Sequence, residues 1–392
     1  MSHKLISHSP DLKKLRDEGY EIEIKKGHLL VHSIPYVNSR KEIMRGILVS
    51  ALGDLAGDRT SKPHHVISFA GEHPCDKEGV VIQGIQHSSI RKTLAEGVEV
   101  DHSFSNKPEN GYADYYEKVT TYIKIISSHA ESIDRNATAK TFKPVDSTDD
   151  PDCVFHYLDA NSSRAEIGMI SNKLKDLKIA IIGLGGTGSY VLDFVAKTPV
   201  KEIHLFDSDI FLSHNAFRAP GAVSIETLNR TQKKVSYMKE IYSRLHKYVI
   251  PHEYDIDQEK LEELSTVNFV FICIDNGEVK KSIIQKLIEK KIPLIDVGIG
   301  ITEIDGALTG SVRVTSVNTG KYDHIEKRVP FAEVGENDYS KNIQIAEVNA
   351  LNAALAVIKW KKFFGVYHDL EKEYHSVYEI NTNKIANDEI TS

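Results

Sequence analysis

The residues best suited to hold a ligand form a glycine-rich turn, Gly183-Leu-Gly-Gly-Thr-Gly188, between a predicted strand and a predicted helix. Its four glycines are Gly183, Gly185, Gly186 and Gly188. Glycines permit a tight turn and let backbone N–H groups approach a phosphate, and the N-terminus of the following helix adds partial positive charge. The spacing and context therefore predict a site for the phosphates of a nucleotide.

A carboxylate follows where a ribose would need one. Asp207 ends the next predicted strand, roughly 20 residues beyond Gly188, which is the usual interval for a ribose-binding acid. Both NAD(P) and ATP would use the glycines and this carboxylate. These residues alone therefore leave open an NAD(P)-dependent oxidoreductase and an ATP-dependent enzyme.

The segment after Asp207 favours ATP. It contains Asp209, Asn215 and Arg218 within a dozen residues. A reaction between a carboxylate and a triphosphate brings two anions together, so cations and hydrogen-bond donors must hold them. Arginine offers a fixed fork of donors to phosphate oxygens, and a dehydrogenase has no need of an asparagine and an arginine at this spacing.

The segment from Asp207 to Arg218 resembles the pattern Asp-x-Asp-x-Val-x-x-Ser-Asn-Leu-x-Arg-Gln of the ThiF/MoeB/HesA family, whose fold group includes the ubiquitin-activating enzymes. The resemblance implies that Asn215, Arg218 and Lys234 bind the triphosphate, with Lys233 as the neighbouring alternative to Lys234.

Three further positions follow from the same resemblance. Asp275, followed by Asn276, matches the family's Asp-Asn pair, and the resemblance implies that Asp275 serves Mg²⁺ on the nucleotide. Arg164 lies where the family has an arginine that reaches into the ATP site of a partner subunit. The resemblance therefore implies a homodimer.

The function implied is adenylation of the C-terminal carboxylate of a ubiquitin-like or sulfur-carrier protein, with ATP and Mg²⁺ as cofactors. The carrier would end in glycine, and the products would be an acyl-adenylate and pyrophosphate. A downstream conjugating or sulfur-transfer partner is possible in such a scheme. Three alternatives remain: an NAD(P)-dependent oxidoreductase, a non-catalytic scaffold resembling an activating enzyme, and adenylation of a peptide or small-molecule carboxylate.

The chain departs from the family in its cysteines. It contains three, and no Cys-x-x-Cys pair, so no structural zinc is expected. None follows Asp275, where ubiquitin-activating enzymes carry their thioester cysteine. Cys75, in the turn-like segment Gly71-Glu-His-Pro-Cys75, is expected to be exposed and is the one alternative thioester acceptor.

The predicted elements divide the chain into two domains. Residues 1–133 read as an α+β domain of unknown role, with strands around Lys26-Gly27 and a helix over Ala113–Ile126. Residues 134–152 read as a linker. Residues 153–366 alternate strands and helices, including a helix over Leu228–Leu245, which predicts a Rossmann-like, doubly wound α/β sheet. Residues 367–392 are assigned to a C-terminal extension.

Composition limits the other classes of function. The net charge of −7 offers no broad basic surface for nucleic acid. No apolar run approaches the roughly 20 residues that span a bilayer, and the polar N-terminus does not resemble a signal peptide. The sequence predicts a cytoplasmic protein with no membrane or nucleic-acid partner.

Overall fold

The computed structural model describes residues 2–53, 59–144, 153–165, 167–331 and 343–391, with the backbone alone for residues 2–4, 163 and 164. The chain divides into two compact units, Met1–Val145 and Asp146–Ser392. None of the described helices combines the length and the apolar character needed to cross a bilayer.

The first unit is built on an antiparallel sheet. Its elements are α1 Ser2–His8, α2 Pro10–Asp17, β1 Ile22–Lys25, β2 His28–Val37, β3 Ile43–Ala51, β4 Val66–Ala70, β5 Gln86–Ser88, β6 Lys92–Ala95, β7 Val98–Val100, β8 His102–Ser105 and α3 Tyr115–Ile133. Six strands form a sheet in the order β1-β2-β3-β4-β8-β5, and β6 pairs with β7. Lys26 and Gly27 both have positive φ, as a two-residue type I′ hairpin requires, so the predicted hairpin is confirmed.

Helix α3 supplies much of the core of the first unit. Asp114 caps it, because its side chain accepts a hydrogen bond from the Glu117 N–H at 2.8 Å. Helical spacing predicts six side chains on one face of this helix. Five of them are buried in the core of the unit, namely Tyr115, Val119, Tyr122, Ile123 and Ile126, and the sixth, Tyr116, is partly buried. Residues of the predicted linker also pack here: Ala137 and Ala139 are buried, and Tyr20 forms a β-bridge with Lys140.

The second unit alternates strands and helices. Its elements are α4 Ala160–Arg164, α5 Gly168–Ser171, β9 Lys178–Ile182, α6 Gly186–Val195, β10 Glu202–Phe206, α7 Ser213–Ala216, α8 Ile225–Leu228, α9 Lys234–Tyr242, β11 Val249–His252, β12 Phe269–Ile272, α10 Gly277–Glu289, β13 Leu294–Ile304, β14 Ala307–Val317, α11 Ile325–Arg328, α12 Ala346–Phe363, β15 His375–Glu379 and β16 Lys384–Asp388. Short 3₁₀ turns occur at Gln83–Ile85 in the first unit, and at Asn172–Leu174 and Leu261–Thr266 in the second.

Eight strands of the second unit form one sheet in the order β11-β10-β9-β12-β13-β14-β15-β16. The strands from β11 to β13 are parallel, and those from β13 onward are antiparallel. Helices α6, α9 and α12 cover one face and α10 covers the other, so the central strands are buried on both sides. The predicted doubly wound α/β sheet is confirmed.

Two parts of the second unit differ from the prediction. The helix predicted over Leu228–Leu245 forms only over α9, Lys234–Tyr242; α8 ends at Leu228, and a turn in which Thr231 has φ +49° separates the two helices. The break arises because the Lys234 N–H bonds the Asp209 carbonyl at 2.9 Å, which ties the start of α9 to the loop after β10. The predicted C-terminal extension contains β15 and β16, which complete the sheet.

Candidate active site

The glycine turn joins β9 to α6 and has no room for side chains at three of its positions, Gly183, Gly186 and Gly188. Gly183 has φ +87°, and a Cβ there would lie 2.7 Å from the Cys273 carbonyl oxygen. A Cβ on Gly188 would lie 1.9 Å from the Gly183 carbonyl oxygen. Gly185 faces open space instead. Because the first N–H groups of a helix have no acceptor within it, those at the start of α6 are available beside this opening.

Asp207 lies against the turn. It follows β10, is 6% exposed, and its carboxylate accepts the Leu184 N–H at 2.7 Å and the Asp209 N–H at 2.9 Å. Burial raises the pKa of Asp207, while Lys234 and the two N–H groups act in the opposite direction. The structure therefore brings together the glycine turn and the predicted ribose carboxylate.

Lys234 is the buried cation of this region. Its Nζ lies 2.6 Å from Asp209 Oδ2 and 3.4 Å from the Asp207 carboxylate. The alternative, Lys233, donates to the carbonyl of Ser208 instead. Asp209 is largely exposed, so Lys234 joins a buried carboxylate to one that opens to solvent. A phosphate that enters the site would contact the Lys234 ammonium group, which the two carboxylates hold in place.

Asn215 and Arg218 carry buried donors without partners. The Oδ1 atom of Asn215, in α7, accepts the Leu212 N–H at 2.9 Å, but its Nδ2 has no hydrogen-bond partner among the residues that the structure describes. The buried Nε of Arg218 also finds no partner within the described ranges. Burial lowers the pKa of Arg218, and the nearby carboxylate of Asp275 opposes that effect. A buried donor left unpaired costs about 1–3 kcal/mol, so both groups suit an anionic ligand.

Asp275 and Asn276 follow β12 and are both exposed. The side chain of Asn276 caps α10 by accepting the Val279 N–H at 3.2 Å. Its oxygen therefore has a structural task besides any contact with nucleotide. Asp275 is free to face a ligand near Arg218. The parts of the chain that the structure describes hold no group of three or more His, Cys, Asp or Glu side chains arranged to bind a metal.

Two predicted residues stand apart from this cluster. Arg164 ends α4, and its side chain lies outside the described part of the structure. Its proposed reach into a partner subunit stays a prediction. Cys75 belongs to the first unit, and the expectation that it is exposed is wrong.

Cys75 is 1% exposed, because backbone bridges to Val37 and Val81 hold it against β2. Burial raises the pKa of its thiol, and Asp76 adds to that rise. A buried thiol with a raised pKa is poorly suited to accept an activated carbonyl.

Sequence reasoning missed two residues that shape the site. Asp255 accepts the N–H of Ser208 at 3.1 Å and its hydroxyl at 2.6 Å, which holds the loop between Asp207 and Asp209. Asn349, in α12, bonds the glycine turn through Thr187. No local pattern marks either contact, because each joins segments far apart in the sequence.

Comparison with protein families divides the chain close to the boundary between the two units. Residues 10–160 match a domain of unknown function, DUF6791, and residues 161–350 match the ThiF family. The second match spans the glycine turn, Asp207, Arg218, Lys234 and Asp275. Residues 161–350 form a ThiF family domain. The predicted family resemblance is confirmed for this part of the chain.

The curated relatives of the ThiF domain are distant. Ubiquitin-like modifier-activating enzyme 5 of Xenopus laevis is 26% identical over 136 residues, which cover 30% of this chain and 33% of that protein. The enzyme of the same name from Drosophila mojavensis is 22% identical over 145 residues, which cover 34% of this chain and 36% of that protein. The chain thus spans about a third of the length of the curated relatives it matches.

Solved structures similar to this chain include MccB from E. coli, crystallised with MccA-N7isoASN, and PaaA. The MccB structure is 20% identical, with a TM-score of 0.47, and the match covers 57% of this chain and 66% of that one. For PaaA the identity is 18% and the TM-score 0.46, with 57% and 76% covered.

Proposed function

We propose that the ThiF domain binds Mg·ATP and adenylates a carboxylate. The observation that carries this proposal is a pair of buried donors, Asn215 Nδ2 and Arg218 Nε, that have no partner in the described part of the chain. Both side chains follow Asp209 in the segment after β10, and the Lys234 N–H bonds the Asp209 carbonyl at 2.9 Å, which brings the lysine to the same segment. Donors of this kind fit phosphate oxygens, and the open space at Gly185 leaves room for them.

The residues would act mainly by positioning and by neutralising charge. The glycine turn would hold phosphates, and Asp207 would hold the ribose. Arg218 and Lys234 would bind the triphosphate, and Asp275 would serve the Mg²⁺ that accompanies it. A carboxylate oxygen would then attack the α-phosphorus, the bond to the bridging oxygen of the β-phosphate would break, and pyrophosphate would leave.

We further propose that the carboxylate is the C-terminus of a ubiquitin-like or sulfur-carrier protein ending in glycine. The support is the name of the curated relatives, which are activating enzymes for ubiquitin-like modifiers. A downstream conjugating or sulfur-transfer partner would then take the activated carrier, because no cysteine follows Asp275 in this chain. A peptide or small-molecule carboxylate would use the same nucleotide site and remains the second candidate substrate.

The same unpartnered donors argue against the two other candidate functions. An NAD(P)-dependent oxidoreductase would use the glycine turn and Asp207 but gives no role to Asn215, Arg218 and Lys234 together. A non-catalytic scaffold would gain nothing from keeping the buried Nε of Arg218 without a partner among the described residues. We also propose a homodimer in which Arg164 completes the ATP site of the other subunit.

ATP–pyrophosphate exchange tests the proposal. The purified full chain is assayed alone, with a candidate carrier ending in glycine, and with the same carrier amidated at its C-terminus. Exchange that requires the free carboxylate supports adenylation of a carrier. Exchange that occurs only with small carboxylates would identify the second candidate as the substrate. ATP binding without exchange under any condition favours the scaffold, and binding of NAD(P) instead of ATP overturns the proposal.

A further inference from the structure

Asn349 is a fully buried polar side chain in the first turns of α12, and both ends of its carboxamide are used. Its Oδ1 accepts the Thr187 hydroxyl at 2.9 Å, and its Nδ2 donates to the Ile345 carbonyl at 3.0 Å. Thr187 lies inside the glycine turn motif, and Ile345 precedes α12. The amide therefore ties the turn after β9 to the start of a helix 162 residues away in sequence.

The amide also lies directly against the turn backbone. A Cβ on Gly186 would lie 2.3 Å from Asn349 Cγ, so a glycine is required at position 186 to leave room for the carboxamide. The contact works in both directions, because the same closeness prevents the turn from shifting toward α12. Asn349 thus restrains the turn by a hydrogen bond and by steric contact.

The restraint acts on the N–H groups that a phosphate would need. The Leu184 N–H is already used by Asp207, and the Gly183 N–H bonds the Phe206 carbonyl at 2.9 Å. The N–H groups left for a ligand are those from Gly185 onward, at the start of α6. Their directions depend on the backbone conformation at Gly186 and Thr187, which is where Asn349 makes contact.

We propose that Asn349 is a positioning residue that holds the glycine turn in its phosphate-binding conformation through Thr187. This inference rests on the proposed ATP site and adds to it a residue from α12. It assigns a specific function to a helix that otherwise contributes core side chains such as Trp360.

Asn352 provides a matched control in the same helix. It is also fully buried, but its Nδ2 donates to the Gly298 carbonyl of β13 at 3.1 Å and does not reach the glycine turn. Replacing either asparagine with leucine removes an amide of similar volume from the same helix. Loss of stability is expected from both replacements, whereas loss of phosphate binding is expected only from Asn349→Leu.

The test compares the affinities of the full chain for ATP and for adenosine, which lacks phosphates. Asn349→Leu and Thr187→Val should each weaken ATP binding about five- to tenfold, the effect expected for losing one hydrogen bond that orders a binding group. Adenosine affinity should stay unchanged in both variants. Calorimetry measures ATP binding, and NMR titration measures the weaker nucleoside.

Three comparisons make the outcome decisive. The double variant should lose no more ATP affinity than either single variant, because both remove the same bond. Thr187→Ser keeps the hydroxyl and should restore most of the affinity lost in Thr187→Val. Asn352→Leu should leave the ratio of the two affinities as in the parent chain.

Equal losses for ATP and adenosine in Asn349→Leu, or no loss for either, would reject the positioning role while leaving the ATP site intact. A parent chain that binds adenosine and ATP equally would overturn the proposed phosphate site itself, and this inference with it. Thermal melting of each variant separates these outcomes from simple destabilisation.

Discussion

At the scale of single residues, the site contains ionisable side chains whose burial disfavours their charged forms. The guanidinium of Arg218 is half-buried, and its Nε has no partner among the described residues. Burial lowers the pKa of Arg218, and the nearby Asp275 opposes that effect. The carboxylate of Asp207 is buried as well, and burial raises its pKa despite the nearby Lys234. Buried ionisable groups with shifted pKa values cluster at functional sites, where a bound ligand can compensate their charge.

Arg218→Met should therefore separate stability from activity. Removing an unpaired buried donor should raise the free energy of unfolding by about 1 kcal/mol, or leave it unchanged. Loss of a cation that holds the triphosphate should lower carrier-dependent pyrophosphate exchange by about 10²–10³-fold. Denaturant unfolding and the exchange assay measure the two effects. A variant that is destabilised and still active would reject the assignment of Arg218.

Lys118 in the first unit is a buried amine with no carboxylate partner in the described part of the chain. Its Nζ donates to Ser50 Oγ at 2.7 Å and to the Val66 carbonyl at 2.6 Å, and no salt bridge to it occurs among the described residues. Burial lowers the pKa of Lys118 to about 7. His65 directly precedes β4, and Tyr115 and Tyr122 belong to α3 itself; none of these three side chains is a carboxylate.

The lowered pKa predicts a pH-dependent stability for the first unit. Between about pH 7 and pH 10.5, the unfolded chain holds a proton on Lys118 that the folded chain has lost. Stability should therefore rise with pH across this window and level off below pH 7. Lys118→Met should remove this dependence. Amide hydrogen exchange in α3, followed by mass spectrometry from pH 6 to pH 10 after correction for intrinsic exchange rates, measures it.

The lone tryptophan serves as an internal control for that experiment. Trp360 is buried in the second unit, so its fluorescence reports unfolding there and not in the first unit. An identical pH response for Lys118→Met and the parent chain in α3 would show that Lys118 does not titrate in this range.

At the scale of elements, a buried ionic group joins α10 to the antiparallel half of the sheet. Asp296 of β13 is 0% exposed, with Lys280 Nζ 3.0 Å from its Oδ1 and Arg313 Nη2 2.6 Å from its Oδ2. Lys280 belongs to the first turn of α10, the helix that begins directly after Asp275 and Asn276. The ionic group therefore anchors the helix that follows the proposed Mg²⁺ ligand.

Removing one member of this ionic group should destabilise the protein more than replacing all three members with apolar residues. Asp296→Ala leaves two cations around an empty position and should lower the free energy of unfolding by about 3–5 kcal/mol. The triple variant Lys280→Met, Asp296→Leu, Arg313→Met should recover much of the loss, because it removes all three charges together. Urea unfolding followed by Trp360 fluorescence measures both. Equal stability of Asp296→Ala and the parent chain would contradict the prediction.

At the scale of the whole molecule, the two units are distinct in architecture. The first is an antiparallel sheet that matches a domain of unknown function, and the second is a doubly wound sheet that contains the ThiF domain. All the residues proposed to bind nucleotide lie in the second unit. The proposed homodimer adds one more residue, Arg164, which would act across the interface between subunits.

Mixing of inactive variants tests that arrangement. If Arg164 acts in the partner's site, Arg164→Ala and Asp275→Asn subunits should complement each other, because each mixed dimer regains one intact site. Equal mixing and free exchange of subunits should then restore about a quarter of the parent exchange activity. Each variant alone should be inactive. Absence of recovery in a mixture shown to contain mixed dimers would place Arg164 in its own subunit's site or in no site.

Features coded by short stretches of sequence were predictable. The glycine turn, the helix after it and the approach of Asp207 depend on a strand–turn–helix–strand unit, whose geometry follows from local spacing. The hairpin at Lys26-Gly27 and the buried face of α3 follow from turn chemistry and helical periodicity for the same reason. The doubly wound sheet followed from the alternation of strands and helices.

Other features were decided only by tertiary structure, because they depend on contacts between distant segments. The break before α9 arises from the hydrogen bond between the backbone N–H of Lys234 and the carbonyl of Asp209. This bond overrides the helical pattern of Leu228–Leu245. Cys75 is buried because its backbone pairs with β2, although its segment has the composition of an exposed turn. Asn349 reaches the glycine turn from 162 residues away, and no local pattern specifies which segment packs there.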